Sequence, residues 1–208
     1  MGVYMDITLR DAIQQRQTVR RFSDQPISDA QRDALIAAAA LAPSPHGRQP
    51  WQFVVIPAGV RRQHICVAMS TVWQTQLTLD GGDASQIHHR IAASNERITS
   101  APLLIMPCVD MQVLDHYPDQ DRQHAEYLMA VQSIGCAIQL MLLTAVGMGI
   151  AGGWMCAPLF CQQTVRTALG LPETLIPQAL IPFGYMAQPP RRRAKRTGNE
   201  LSLVLSEC

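Results

Sequence analysis

Seven consecutive apolar residues, LLIMPCV at 103–109, constrain this chain more than any other stretch. A strand wetted on one face alternates apolar and polar side chains, so an unbroken apolar run of this length reads as a strand buried on both faces. Three more strand candidates follow from β-branched and aromatic content: QFVVI at 52–56, IAGGWM at 150–155 and QALIPFGY at 178–185. Each stands alone between helical stretches. Helices are expected over residues ~6–16, ~58–79, ~84–98 and ~122–146. Ser28 and Gln31 form a capping box that opens an alanine-rich helix ending before Pro43. Pro158 and Gly170 bracket a further helix. Strands that come singly between helices give an α+β layered domain with a small central sheet, taken as one unit over residues 1–208. The tail after Gly184 has no partner in this plan and is expected to cross to a second subunit.

Composition narrows the function classes. Apolar residues make up 48% and charged residues 16%, more apolar than a solvated monomer needs, and a dimer burying a large surface uses that surplus. A net charge of +1 argues against nucleic acid and anionic membranes as partners. The local exception is the basic run Arg191–Arg196, interrupted only by Ala194. No apolar run reaches the ~18 residues of a membrane span, since residues 128–146 are broken by Gln132, Ser133 and Gln139. Six cysteines without a C-x-x-C pair, mostly in apolar segments, read as buried reduced thiols in a cytoplasmic protein.

Several chemical motifs fail on context. Gly147, Gly149 and Gly152 match G-x-G-x-x-G, but the motif follows a helix and opens a strand, the reverse of a dinucleotide site. Small residues there leave backbone amides uncovered instead. His88 and His89 point about 100° apart on a helix and cannot share one ion. His116, Asp119, Asp121, His124 and Glu126 fit no zinc or calcium spacing. No metal site is expected. Cys156 and Cys161 lack a histidine near them in sequence and read as core thiols rather than nucleophiles. What remains is Arg16-Gln-Thr18-Val-Arg20: if extended, alternate residues put two guanidiniums and a hydroxyl on one face, a set suited to a phosphate or to a merely solvated surface.

In order along the chain stand R-x-T-x-R-x-F from Arg16, A-P-S-x-x-x-x-Q-P-W-x-F-V-V from Ala42, G-x-x-x-Q-L from Gly135, G-x-G before Trp154, and F-G-Y at 183–185 with a basic tail. Over nearly its whole length the chain resembles the FMN-dependent nitroreductase superfamily. The stretches from His116 to Leu143 and from Gly152 to Glu173 look like the branch containing the flavin-binding half of deazaflavin-coenzyme ligases, here without a ligase half.

The resemblance implies a small, mostly antiparallel sheet flanked by helices, an intertwined homodimer, and FMN at the subunit interface. It implies that Arg16, Gln17, Thr18 and Arg20 hold the ribityl phosphate. It places Pro43, Ser44, Pro45, His46 and Gly47 against the flavin of the partner subunit, with Gln49-Pro50-Trp51 anchoring the loop. Backbone amides of Gly152, Gly153, Trp154 and Met155 would approach the reactive nitrogen, and Arg193 and Lys195 would close over the phosphate. Gly47 replaces an Asn of many relatives, and Leu140 follows Gln139 where many have Asn. The implied activity is ping-pong reduction of a small organic acceptor, a nitroaromatic, quinone or unsaturated metabolite, by NADH or NADPH through FMN. A reductase of a dehydro deazaflavin precursor and a non-catalytic flavin-binding protein are the alternatives. His46 is a weak candidate proton donor; otherwise the protein needs no catalytic side chain of its own.

Overall fold

A computed structural model of the chain describes residues 5–190, 194, 196 and 201–203. Its centre is the strand that the seven-residue run predicts, β2 (Leu103–Asp110). Along it Leu103, Ile105 and Val109 enter one apolar core, while Leu104, Met106 and Cys108 enter another. The period-two alternation of a strand therefore serves two cores, and this is why no polar residue interrupts the run.

Each edge of β2 is occupied. One pairs antiparallel with β1 (Trp51–Val55). The other pairs antiparallel first with β5 (Ile181–Gly184) and then with β4 (Leu175–Pro177), and β5 carries the two-residue β3 (Ala151–Gly152). The sheet is an α+β core with antiparallel ladders throughout, as the resemblance implies. The first core is closed by α2 (Asp29–Ala39) and α5 (Gln120–Gly147), through Leu35, Ile134, Ile138 and Met141. The second is closed by α3 (Val60–Leu79), α4 (Ala84–Thr99) and α6 (Gln162–Leu169), through Ile65, Met69, Ile98 and Val165. The remaining helix, α1 (Leu9–Gln15), lies against α5.

Local chemistry sets the helix ends. Ser28 Oγ accepts from the Gln31 amide at 3.2 Å while Gln31 Oε1 accepts from the Ser28 amide at 3.0 Å, the reciprocal capping box that the sequence predicts. Gly170 ends α6 in the left-handed conformation at φ 67. Pro158 does not open that helix; it sits in a separate 3-10 turn, Ala157–Phe160. The strand expected over 150–155 is shorter, because only Ala151 and Gly152 form a ladder. The strand β4 was not marked in advance: three residues beside Pro172 and Pro177 carry too little pattern.

Three further expectations are corrected. The first residues beyond Gly184 do pair within their own chain: the Ser23 amide donates to the Tyr185 carbonyl at 2.8 Å, and the Ala187 amide donates to the Arg21 carbonyl at 3.2 Å. Nor are the cysteines uniformly buried. Cys66 and Cys108 are buried, Cys161 is half-buried, and Cys136 and Cys156 are exposed. Burial pushes the Cys66 thiol up to about 11 and the Cys108 thiol up to about 12. Also, α5 is long and apolar enough by length and composition to cross a membrane, despite its interrupting polar residues. Its buried side makes the middle of the first core.

One buried cation joins the layers. Arg62 at the start of α3 is 2% exposed. Its Nε donates to the Ile56 carbonyl at 3.1 Å, just past β1. Its Nη1 donates to the Ile98 carbonyl at 3.3 Å and to that of Ala101, where α4 turns into β2. Burial lowers its pKa, and three carbonyls without any carboxylate keep the charge tolerable.

Arg62→Met leaves those carbonyls unpaired and lowers unfolding free energy in urea by about 1–3 kcal/mol. Native protein at neutral pH exposes Cys156 to a thiol reagent, while Cys66 and Cys108 react only on unfolding. Because their folded pKa values are raised, these two thiols favour the fold below the free-thiol pKa of about 8.5. Stability is lost as pH climbs from there toward the folded values, which a pH series of urea titrations reads directly.

Candidate functional site

The basic stretch after α1 is a strap laid on the sheet edge. Arg16 ends α1, with its amide donating to the Ala12 carbonyl at 2.9 Å. The strap then runs parallel to β3: Thr18 bridges Gly152, and the buried Val19 donates its amide to the Gly152 carbonyl at 3.0 Å. This approach requires the two glycines. A Cβ on Gly153 would lie 2.7 Å from the Val19 carbonyl oxygen, and one on Gly152 would lie 2.7 Å from Leu142 Cδ2 and 2.9 Å from the Phe183 ring. The G-x-G-x-x-G pattern thus ends in close backbone packing, not in a phosphate loop.

Fixing Val19 inward decides where its neighbours go. Thr18, Arg20 and Arg21 line a cleft of about 300 Å³, opposite Glu96 and Arg97 of α4 and the tail residues Gln188–Pro190. Arg16 and Gln17 line an adjoining recess of about 130 Å³ beside Gly149–Gly152. The alternation that sets Arg16, Thr18 and Arg20 on one face therefore spans two neighbouring recesses, with Val19 at the wall of both. Arg193 and Lys195 lie outside the described residues, although Pro190 ends at the cleft.

Arg97 is the site residue that no motif marks. Its guanidinium pKa is lowered, first by burial and next by the charge of Arg20, with Glu96 opposing. Among the described residues neither Arg20 nor Arg97 forms an ion pair. Two guanidiniums that repel across a cleft, with only the charge of Glu96 opposing and no ion pair formed, are relieved by an anion between them. In sequence Arg97 is an ordinary charge on an amphipathic helix, and only the packing of α4 brings it to Arg20.

The small-residue strand presents its amides alternately. The Gly153 amide donates to Pro182 at 3.0 Å and the Met155 amide to Leu180 at 3.0 Å, so both are consumed by the chain leading into β5. The Trp154 and Cys156 amides carry no hydrogen bond among the described residues. Of the four residues expected to offer a donor, Trp154 is the one whose amide is available. Its indole lies along α5, where a Cβ on Gly135 would come within 3.7 Å, and the residue is 41% exposed.

The proline-rich loop stands apart from these recesses. Pro43 is exposed, Ser44 is half-buried, and Pro45–Gly47 form a 3-10 turn that presents His46 and Gly47 to the surface. Three residues there have positive φ: His46 at 52, Gly47 at 65 and Gln49 at 51. Two of them are not glycine, and the surrounding bonds hold this less favourable backbone. Ser44 Oγ accepts from the Gln49 amide at 3.0 Å, Gln49 Nε2 donates to Ala40 at 2.9 Å, and Arg48 pairs with Asp115 at 2.6 Å. Trp51 packs half-buried against the first core. None of residues 43–47 lines the strap's cleft or its adjoining recess.

Of the acidic loop before α5, Asp119 caps the helix, accepting from the Arg122 amide at 2.9 Å, and the buried Glu126 accepts from the Asp115 amide at 3.3 Å. These are structural roles; among the described residues no three His, Cys, Asp or Glu side chains converge on a common point.

Known proteins are similar to this chain in sequence and in fold. The Nitroreductase family model matches residues 13–185. A protein of Archaeoglobus fulgidus named as an NADH dehydrogenase/NAD(P)H nitroreductase is 27% identical over 174 residues, covering 82% of this chain and 80% of its own. In fold, the chain is similar to a nitroreductase from Desulfovibrio desulfuricans solved in complex with FMN, with TM-score 0.73 at 24% identity over 97% of this chain and 99% of that one. It is also similar to a BluB-like flavoprotein from Clostridium difficile, with TM-score 0.79 at 22% identity over 96% and 100%.

Gly153→Ala drives a methyl into the Val19 carbonyl and lifts the strap. Expected are a loss of about 1–3 kcal/mol in urea unfolding and faster hydrogen exchange at the Val19 amide, while the Ile105 amide of β2 keeps its protection.

Proposed function

Because the chain belongs to the nitroreductase family, we propose that it is an FMN-dependent NAD(P)H oxidoreductase in which two copies share each flavin. The carrying observation is the cleft with Thr18, Arg20 and Arg97, a hydroxyl and two guanidiniums that outnumber the single Glu96 carboxylate and form no ion pair, with the unbonded Trp154 amide two residues beyond the Gly152 that the strap bridges. That donor set fits FMN: cationic groups for its anionic and electron-rich edges and a main-chain donor for its redox nitrogen. Nucleotide-like anions without a redox ring would leave the exposed amide without purpose.

Arg20 and Arg97 hold the cofactor from opposite walls, the strap and α4, and Thr18 adds a hydroxyl. Arg16 and Gln17 serve from the adjoining recess, and Arg193 and Lys195 from the tail. The Trp154 amide orients the ring, and Gly152 and Gly153 let the strap sit close enough to do so. When bound, FMN would supply the two-electron chemistry by which NADH or NADPH reduces a small organic acceptor such as a nitroaromatic or quinone. No nucleophile or general base of the chain is required. Its buried, unpaired thiols suit a reducing, cytoplasmic setting.

The second copy is supported by the outward side of α5. Leu128, Met129 and Cys136 are exposed there at helical spacing, with Leu140 and Leu143 half-buried beyond them. In the pairing proposed here this stripe meets its equivalent, and the loop Pro43–Gly47 reaches the partner's flavin. The positive-φ backbone at His46 presents that histidine as the one loop side chain able to pass a proton.

Purified protein is expected to be a yellow dimer that releases FMN on denaturation and oxidises NADH or NADPH with a nitroaromatic acceptor. Arg20→Ala and Arg97→Ala each weaken FMN binding by about tenfold or more, read by fluorescence titration, from the loss of about 1.5–3 kcal/mol per charged hydrogen bond. Leu128→Lys shifts the protein toward monomer in sedimentation and lowers FMN retention with it. A colourless protein that takes up no FMN overturns the assignment.

A further inference from the structure

A second cavity, of about 380 Å³, lies on a different face of α4 from the cleft, between α3, α4 and the turn Ala157–Phe160. Its size falls in the range of small-molecule sites, roughly 300–1,000 Å³. Met69, Val72, Trp73, Leu77 and Phe160 make an apolar and aromatic wall. Phe160 is 75% exposed, a large aromatic ring left in water at the rim.

Polar residues share the lining: Ser70, Gln76, Asp80, Arg90, Ser94 and Asn95. The Arg90 guanidinium stacks over the Trp73 ring, 5.6 Å from its centroid. Stacking occupies the face of the guanidinium and leaves its in-plane N–H groups free. Among the described residues Arg90 has no carboxylate partner. Beside it, Ser70 Oγ donates to Asn95 Oδ1 at 3.1 Å, which fixes the carboxamide and leaves the Asn95 amino group without an acceptor. A cation and a neighbouring N–H₂, both unpaired and both at an apolar cavity, call for an acceptor with negative charge. The Asp80 carboxylate also reaches the lining and disfavours a second anionic group.

We propose that this cavity binds a planar aromatic monocarboxylate, with its ring on the wall of Leu77 and Phe160 and its carboxylate shared by Arg90 and Asn95. The site goes beyond the oxidoreductase reading and stands without it, since it uses none of the residues assigned to FMN.

Isothermal titration of the purified chain with 2-naphthoate, with its uncharged isostere 2-naphthamide and with 2,6-naphthalenedicarboxylate tests this. The monoacid is expected to bind at least tenfold tighter than the amide and tighter than the diacid. Arg90→Gln, an exposed substitution whose folding is checked by circular dichroism, brings 2-naphthoate down to the amide's affinity. Arg122→Gln, in the first turn of α5 and outside this cavity, leaves the preference intact. Equal affinities for acid and amide, no binding of either, or a preference that survives Arg90→Gln overturns the proposal. Because FMN content is measured separately by absorbance, failure of either assignment leaves the other readable.

Discussion

The contact on which the site depends is between bare backbone and bare backbone: Gly152 and Gly153 against Thr18 and Val19. A hydrogen bond from the Val19 amide and a close approach of the Val19 carbonyl to Gly153 Cα hold the strap to the sheet. Any side chain at either glycine occupies space already filled by Val19, Leu142 or Phe183. Once Val19 is pinned inward, Thr18 and Arg20 must turn to the cleft. The same run of small residues then alternates its amides, spending those of Gly153 and Met155 on the sheet and leaving that of Trp154 outward. One packing constraint thus places the cationic side chains and the uncovered main chain together.

A second constraint lets the cleft exist at all. The strand β2 is covered on both faces, and the helices over its second face must be tied to the strand ends. Arg62 does this with carbonyls from three segments, at the cost of a buried charge. Those carbonyls are where β1 ends and where α4 meets β2, so Arg62 also sets where α4 stops. Arg97, two residues before the Thr99 end of α4, is carried to Arg20 by that placement. The buried cation and the cleft-facing cation are therefore linked through one helix end.

The fold was legible where burial leaves an uninterrupted pattern. LLIMPCV named the central strand, Ser28 with Gln31 marked a helix start, and Gly170 marked a helix end, each because a single local rule applies. The three-residue β4 was not, since its pairing with Cys108–Asp110 owes more to the neighbouring chain than to its own residues. Half-exposed Cys161 and exposed Cys136 and Cys156 show the same limit: a thiol in an apolar stretch is inside or outside according to the helix face it takes, and composition does not register that.

By itself, the sequence determined the α+β plan, the family and, through that resemblance, the antiparallel sheet and the candidate arginines of residues 16–20, because ordered motifs and apolar periodicity are properties of residues adjacent in the chain. Tertiary structure alone decided that Arg97 meets Arg20, that Arg16 belongs to a neighbouring recess, and which amide of the Gly152–Met155 run stays free. It also decided that Trp73, Arg90 and Asn95 share a cavity. These are encounters between segments tens of residues apart, fixed by how helices pack on the sheet, and no spacing along the chain encodes them.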